Sequence, residues 1–114
     1  MAADCIFCRI ANREIPARIV FADDQVVAFH DVAPTAPTHV LVIPRRHVET
    51  LLDTGAGDGE LLGRLSTTAI ALARELGLGD GFRLVMNCGE RAGQSVFHLH
   101  LHLLGGRSFA WPPG

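Results

Sequence analysis

The most regular alternation of polar and hydrophobic positions in this chain lies near its C-terminus, where histidine and leucine alternate from residue 98 to residue 103. A period of two is typical of an extended strand, because successive side chains of a strand point to opposite faces. We therefore expect the leucines to pack in a core and the histidines to share a site on the other face. The histidines are His98, His100 and His102.

Three imidazoles on one strand face indicate a functional site rather than an ordinary solvent-exposed face, since such a face usually mixes Thr, Lys, Arg and Glu. Imidazole can act as nucleophile, acid, base or metal ligand near neutral pH. Metal sites often take two histidines from alternate positions of a strand. The spacing alone therefore fits both a metal site and a nucleophilic histidine.

Hydrophobic runs elsewhere predict four more strands. Two of them flank the polar break Asp23-Asp24-Gln25 and should form an antiparallel hairpin. The third is ended by Pro44, and a glycine-containing loop at residues 89–93 joins the fourth to the histidine strand. The predicted strands are residues 18–22, 26–30, 39–43 and 82–87.

Over residues 60–76, hydrophobic residues recur every three or four positions, which predicts one main helix. Asp58 is available to cap this helix and Gly77 to end it. The glycine-rich segment 54–59 lacks both a preceding strand and a Gly-Lys-Ser/Thr ending, so we expect a flexible linker rather than a phosphate-binding loop. The apolar stripe of the helix is wider than one sheet would cover, which predicts a second contact surface. Its residues are Leu61, Leu62, Leu65, Ala69, Ile70, Leu72, Ala73 and Leu76.

Together these elements predict the α+β class, with an antiparallel β-sheet, one main helix packed on a face and a short N-terminal helix ending near Asn12. A chain of 114 residues is expected to form a single domain spanning residues 1–114.

Composition and charge narrow the classes of partner and location. A formal net charge of -2 gives no basic field for a long nucleic acid. No apolar run reaches the roughly 18 residues of a membrane span, and residues 1–4 lack the parts of a signal peptide. We therefore expect a cytoplasmic protein that binds neither nucleic acid nor membrane. Three cysteines, an odd number, argue against a disulfide framework and for a reducing compartment.

Cys5 and Cys8 form a Cys-x-x-Cys pair inside the short N-terminal helix. The pair could be a redox dithiol, although such a dithiol normally follows a strand. It could also be two unconnected core cysteines. Finally, it could supply half of a tetrahedral zinc site, which would need histidines as well because Cys88 is the only other cysteine.

The segment from His98 to Leu104 resembles the signature of the histidine triad (HIT) superfamily, His-x-His-x-His-x-x with apolar x, at every position. Segments along nearly the whole chain are similar to the Hint branch of that superfamily. They are Ile15-Pro16, Phe29-His30-Asp31, Ala36-Pro37-Thr38-His39, Val42-Ile43-Pro44, Gly93-Gln94-Ser95 and Ala110-Trp111-Pro112-Pro113-Gly114. The resemblance implies a hydrolase that cleaves purine nucleoside 5′-phosphoramidates to a nucleoside monophosphate and an amine.

The resemblance also implies a catalytic set. His100 would attack the α-phosphorus and form a nucleotidyl-histidine, which water then hydrolyses. His102 and His39 would donate to phosphate oxygens and relay a proton. Ser95 would bond the phosphate or the departing amine, and Asn87 would contact the phosphate.

The same resemblance implies a nucleoside pocket, although buried Ile, Phe and Leu need no function beyond a core. Asp31 matches the carboxylate that bonds the ribose hydroxyls in relatives. Val32 lies beside it, and His30 is placed at the pocket. The apolar positions that would hold the purine are Ile6, Phe7, Phe29 and Leu41.

Relatives that keep the cysteine pair use it in a structural zinc site, and the matching ligands here are Cys5, Cys8, His47 and His98. No organic cofactor is implied. The resemblance further implies a homodimer, in which the main helix lies at a two-fold interface and the sheet extends across both subunits. The tail around Trp111 would then lie near the partner's active site.

Two other functions stay open at this point. The same catalytic residues could hydrolyse a dinucleoside polyphosphate or an acyl adenylate. A non-catalytic, zinc-stabilised nucleotide-binding adaptor with a vestigial triad belongs to a different class, against which the intact triad, Ser95 and His39 argue. Nucleotide affinity without turnover would identify the adaptor.

Overall fold

Five strands and two α-helices make up the computed structural model, which describes residues 4–114. The strands are β1 (Ile19–Ala22), β2 (Val26–His30), β3 (Thr38–Pro44), β4 (Phe82–Val85) and β5 (Leu101–Gly105). The helices are α1 (Ile6–Ala11) and α2 (Gly59–Glu75). All five strands form one antiparallel sheet in the order β1-β2-β3-β5-β4, which confirms the predicted α+β class. Within residues 4–114, neither helix combines the length and the hydropathy needed to cross a membrane.

The first strands follow the hydrophobic pattern closely. β1 and β2 form the predicted hairpin, and Asp23 closes its turn by accepting from the backbone amides of Gln25 and Val26 at 2.8 and 2.7 Å. β3 extends through Pro44, which lies opposite Val26 at the end of the ladder. β4 ends at Val85, two residues before the predicted boundary.

The histidine strand begins later than the sequence predicts. β5 starts at Leu101, opposite Val42, and its ladder does not extend to the last two residues of β3, Ile43 and Pro44. The backbone amide of Leu99 instead donates to the carbonyl of Val48 at 2.6 Å. The predicted separation of faces holds nonetheless, since Leu99, Leu101 and Leu103 are all buried in one core and the histidines lie on the other side.

Hydrophobic cores cover both faces of the sheet. On one face, Leu65, Ala69 and Leu72 of α2 form a cluster with the buried leucines of the histidine segment. On the other face, Phe7 and Ile10 of α1 pack on β2 and β3. The histidines therefore lie in the layer between α1 and the sheet, where little water reaches them.

The start of α2 differs from the prediction in how it is capped. Asp58 makes no side-chain cap to α2. Its carboxylate accepts from the backbone amide of Gly55 at 2.9 Å and from the guanidinium of Arg46 at 2.8 Å. The predicted cap is wrong because the segment before α2 folds into a 3₁₀ turn, Ala56–Asp58, that uses this carboxylate itself. The expected flexible linker is accordingly an ordered turn.

The apolar stripe of α2 is only partly covered by the sheet. Leu61 and Ile70 are half-buried, and Leu76, just beyond the helix, is 37% exposed. The fully buried face instead includes Thr68, which the hydrophobic pattern does not mark. Apolar helix surface therefore stays open on this chain, as the width of the stripe predicts.

Candidate functional site

A cavity of about 310 Å³ lies between α1 and the sheet. Most of the side chains predicted to bind or process a nucleotide line it. They are Ile6, Phe7, Phe29, His30, Asp31, Val32, Leu41, Ser95, His100 and His102. His39 lies behind the cavity wall, against His102, and Asn87 is not part of the lining but sits beside Gly93.

His100 is oriented by a backbone hydrogen bond. Its Nδ1 lies 2.7 Å from the carbonyl oxygen of His98, and a carbonyl can only accept, so Nδ1 carries the hydrogen. In the neutral ring this leaves the lone pair on Nε2. Phe7 packs edge-on against the same ring, with centroids 5.1 Å apart and planes at 88°. The imidazole is thus buried and held in one orientation, and the nitrogen that carries its lone pair is defined.

His39 and His102 form a hydrogen-bonded pair whose direction is also fixed by the backbone. The amide of Thr35 donates to His39 Nδ1 at 3.1 Å, so His39 carries its hydrogen on Nε2. That Nε2 lies 2.9 Å from His102 Nδ1. His102 Nδ1 therefore accepts, and its own hydrogen is on Nε2, available to a group in the cavity.

The carboxylate of Asp31 completes this arrangement. One oxygen, Oδ1, accepts from the backbone amide of Ala33 at 2.8 Å. The other, Oδ2, lies 3.4 Å from His39 Nε2. Since the side chain of Asp31 also lines the cavity, one carboxylate faces both the histidine pair and the space where a ligand would sit.

Burial keeps the pair uncharged near neutral pH. It lowers the pKa of His102 to about 4, with smaller contributions in the same direction from His100 and His39, while Asp31 opposes the shift. Burial likewise lowers the pKa of His39, and Asp31 again opposes it.

The loop before the histidine segment is fixed by the buried side chain of Gln94. Its Oε1 accepts from the backbone amide of Gly89 at 2.8 Å, and its Nε2 donates to the carbonyls of Glu49 and Val96 at 2.7 and 3.1 Å. These bonds place Ser95, the next residue, at the mouth of the cavity.

A second cluster lies on the other side of His98. The sulfur atoms of Cys5 and Cys8 and the Nδ1 atoms of His47 and His98 all lie within 4.8 Å of one another. Cys8 Sγ is 3.3 Å from His47 Nδ1, Cys5 Sγ is 3.4 Å from His98 Nδ1, and the two Nδ1 atoms are 3.1 Å apart. The cluster can therefore hold a metal ion.

The chemistry of this donor set fits a tetrahedral metal. His98 Nε2 donates to the carbonyl of Pro44 at 2.8 Å, which leaves the Nδ1 lone pair facing the cluster. Burial lowers the pKa of His98 to about 4, so the ring stays neutral, as a ligand must be. Two thiols and two imidazoles are a common ligand set of structural zinc, and tetrahedral bonds of about 2.0 to 2.3 Å require ligand separations of about 3.3 to 3.8 Å.

Asp31, His39 and His102 also lie within 4.8 Å of one another. This set is suited to holding a proton rather than a metal ion. The amide of Thr35 donates to His39 Nδ1, so the hydrogen of His39 is on Nε2, which is the atom that would have to coordinate a metal. The hydrogen-bond partners of the rings thus distinguish two clusters of similar composition.

Sequence reasoning missed several lining residues. Ile10 lies three residues after Phe7, so the helical period of α1 puts it on the same face. Val96 lies two residues before His98, so it continues the alternation of the three histidines. Residues 15–17, which contain the Ile-Pro pair, also line the cavity. The amide of Thr35 carries no signal in the sequence, because any residue there would supply the same donor.

Comparisons with known proteins place these features in a wider group. The family model described as the HIT domain matches residues 12–109. Uncharacterized HIT-like proteins of Synechococcus elongatus and Synechocystis sp. are 54% and 55% identical over 114 residues, covering 100% of this chain and of each relative. A HIT family hydrolase from Legionella pneumophila matches with a TM-score of 0.95 and 50% identity, over 96% of this chain and 99% of that chain. A histidine triad protein from Clostridium difficile matches with a TM-score of 0.92 and 42% identity, over 95% of both chains.

We expect the folding stability to fall as the pH drops from about 6.5 towards 4, in part through His102. Its folded-state pKa of about 4 lies below its ordinary value of 6.5, so the unfolded chain binds an additional proton in this interval. The contribution of neutral His102 to the unfolding free energy is complete above the unfolded-state pKa and is lost as the pH falls towards the folded-state pKa. In His102→Asn, the slope of unfolding free energy against pH should be shallower by up to about 1.4 kcal/mol per pH unit. Denaturant unfolding at several pH values checks this, and equal slopes would contradict the low pKa.

Proposed function

Because the chain belongs to the HIT domain family, we propose that it is a hydrolase of the Hint branch that cleaves purine nucleoside 5′-phosphoramidates to a nucleoside monophosphate and an amine. The observation that carries the proposal is the hydrogen bond from His100 Nδ1 to the carbonyl of His98. It leaves the Nε2 lone pair free beside a cavity whose walls combine apolar and polar groups.

The reaction would proceed in two displacements. His100 Nε2 attacks the α-phosphorus, the phosphorus–nitrogen bond breaks, and the amine departs with a proton. His102, whose Nε2–H is available to the cavity, is the side chain placed to donate to the phosphate or the leaving amine. Water then attacks the nucleotidyl-histidine, releasing the monophosphate and restoring the neutral ring of His100, and a proton of the water replaces the one given to the amine.

The charges of the cavity favour a substrate with a single phosphoryl group. Among the described residues that line it, none is lysine or arginine, and Asp31 is the one carboxylate. A dinucleoside polyphosphate carries several negative charges, which proteins usually meet with cationic side chains or metal ions. A phosphoramidate needs none of these. An acyl adenylate has the same single charge and is the alternative substrate for this nucleophile.

The apolar walls supply the basis for a purine site. Ile6, Phe7, Phe29 and Leu41 contribute them from α1, β2 and β3. A flat aromatic base is stabilised by burial between such side chains. Asp31, at the end of β2, would accept from the ribose hydroxyls.

We further propose that Cys5, Cys8, His47 and His98 bind a structural zinc ion, since their donor atoms converge and no carboxylate competes within the set. When bound, the zinc would cross-link α1 to the segments that carry the two histidines. A reducing, cytoplasmic location, which stays a prediction, would keep the thiols available for it.

A homodimer with a continuous sheet is also proposed. β4 is an edge strand of the described sheet, and Phe82 at its start is 39% exposed. The guanidinium of Arg83 donates to the carbonyl of Ala110 at 2.8 Å, so the C-terminal tail runs beside this edge. Pairing of β4 with its copy would cover the edge and bring the exposed Trp111 towards the partner.

The activity is tested with adenosine 5′-phosphoramidate and a lysyl amide of AMP as substrates. The protein should release AMP from both, and His100→Ala should lose at least about a thousand-fold in kcat while still binding AMP, because only the nucleophile is removed. AMP binding by calorimetry controls for folding. Bound AMP with no turnover in the unsubstituted protein would favour the adaptor function instead.

The zinc proposal is tested by metal analysis of protein prepared without a histidine tag. We expect about one zinc per chain, and removal by a chelator should lower the unfolding midpoint because the metal is bound only in the folded state. Cys5→Ser should lose the zinc and the stability, whereas Cys88→Ser, a partly buried cysteine outside the cluster, is the matched control and should keep both. Full stability without bound metal would contradict the proposal.

The dimer proposal is tested by light scattering at micromolar concentration, where the mass should be twice that of one chain. Replacing an edge residue with a charge, as in Leu84→Glu, would also disturb the core, so Phe82→Glu is the better variant and should give a monomer. A monomeric unsubstituted protein would contradict the dimer without affecting the activity proposal.

A further inference from the structure

The nitrogen of His39 that carries the hydrogen, Nε2, lies close to two groups that can accept. His102 Nδ1 lies 2.9 Å away and Asp31 Oδ2 lies 3.4 Å away. The other nitrogen of His39 is occupied, because the amide of Thr35 donates to it at 3.1 Å. His39 therefore has one proton to share, and which acceptor takes it depends on whether His102 Nδ1 is itself protonated.

If the His39–His102 pair protonates the leaving amine, the number of protons on the two rings must be accounted for. If neutral His102 gives up its Nε2 proton, it becomes an imidazolate unless its Nδ1 gains one, and His39 has only its single hydrogen to offer. A proton delivered without forming an anion must come from a pair that already holds one extra proton. The pair then carries one positive charge, which its burial opposes.

We propose that Asp31 is a positioning residue for catalysis: its carboxylate provides the counter-charge and the second acceptor that allow the His39–His102 pair to hold this extra proton. The inference rests on the proposed function, and it gives Asp31 a role besides its expected contact with ribose. When His102 Nδ1 is protonated, it no longer accepts from His39, and a tilt of the His39 ring would bring its Nε2–H towards Asp31 Oδ2, 3.4 Å away.

The charged groups around the His39–His102 pair differ in their effect on its protonation. The groups that act on His102 are His100, which precedes it on the same segment, His39 on β3 and Asp31 after β2. The two histidines make its protonation harder, and Asp31 makes it easier. Arg18, the nearby guanidinium on the β1 side, acts on His30 instead. Within the described residues, Asp31 is thus the side chain that can favour a charged pair.

The position of this carboxylate has a consequence for binding. Oδ1 is held by the amide of Ala33 and Oδ2 lies beside His39, while the same side chain lines the cavity. A role confined to ribose would affect substrate affinity alone. The proposed role also changes the proton affinity of His102, and this difference can be measured.

The first experiment requires no activity. In protein labelled with ¹⁵N-histidine, the ring shifts of His102 are followed against pH in the unsubstituted chain and in Asp31→Asn. At the pH of half-protonation in the unsubstituted chain, the variant should remain mostly neutral, with a midpoint lower by about one pH unit. Asp24→Asn, which removes an exposed carboxylate from the β1–β2 turn, is the control and should leave the midpoint unchanged. An unchanged midpoint in Asp31→Asn would overturn the proposal.

The second experiment separates the pair from ribose. Adenosine 5′-phosphoramidate is compared with its 2′,3′-dideoxy analogue, which lacks the hydroxyls that Asp31 would contact. For both substrates, Asp31→Asn should lower kcat about tenfold above neutral pH and move the alkaline limb of the kcat profile down by about one unit. Asp31→Glu should restore the limb because it restores the charge.

The opposing result is equally specific. If Asp31→Asn raises KM for the ribose substrate only, and leaves kcat, its pH profile and the dideoxy substrate unaffected, Asp31 serves ribose alone. If the unsubstituted protein hydrolyses neither substrate, the proposed function fails, and the histidine titration still decides the role of Asp31.

Discussion

The hydrogen bond between His100 and the carbonyl of His98 is the interaction on which the rest of the site depends. His98 is itself held at two further atoms, since its Nε2 donates to Pro44 and its Nδ1 faces the cysteine cluster. The ring is completely buried. Any movement of His98 would displace the carbonyl that orients His100, so the cysteine–histidine cluster and the cavity share one buried residue.

Backbone groups, rather than residue types, give the histidines their different chemistry. Pro44 accepts from one nitrogen of His98 and leaves the other as a ligand, while the amide of Thr35 places a hydrogen on the nitrogen of His39 that faces His102. The same type of side chain thereby presents a lone pair to one cluster and a hydrogen to the other. Composition alone would treat the two clusters alike.

The faces of the histidine segment follow from its alternation, because leucine and histidine differ so strongly in burial preference. The start of β5 does not follow, since the amide of Leu99 bonds the carbonyl of Val48, a contact that no local pattern marks. The cap predicted at Asp58 fails because Arg46 and Gly55 compete for its carboxylate. The approach of Cys5 to His98, 93 residues away in the chain, came from family resemblance and not from any local pattern.

The scarcity of cations around the cavity has a consequence for how the proposed cycle would end. Hydrolysis converts a phosphoryl group with one negative charge into a monophosphate that approaches two at neutral pH. The described residues that line the cavity include Asp31 but no lysine or arginine, so they do not attract that added charge. Departure of the monophosphate is then assisted by electrostatic repulsion, so the same lining that selects the substrate would also limit inhibition by accumulated product.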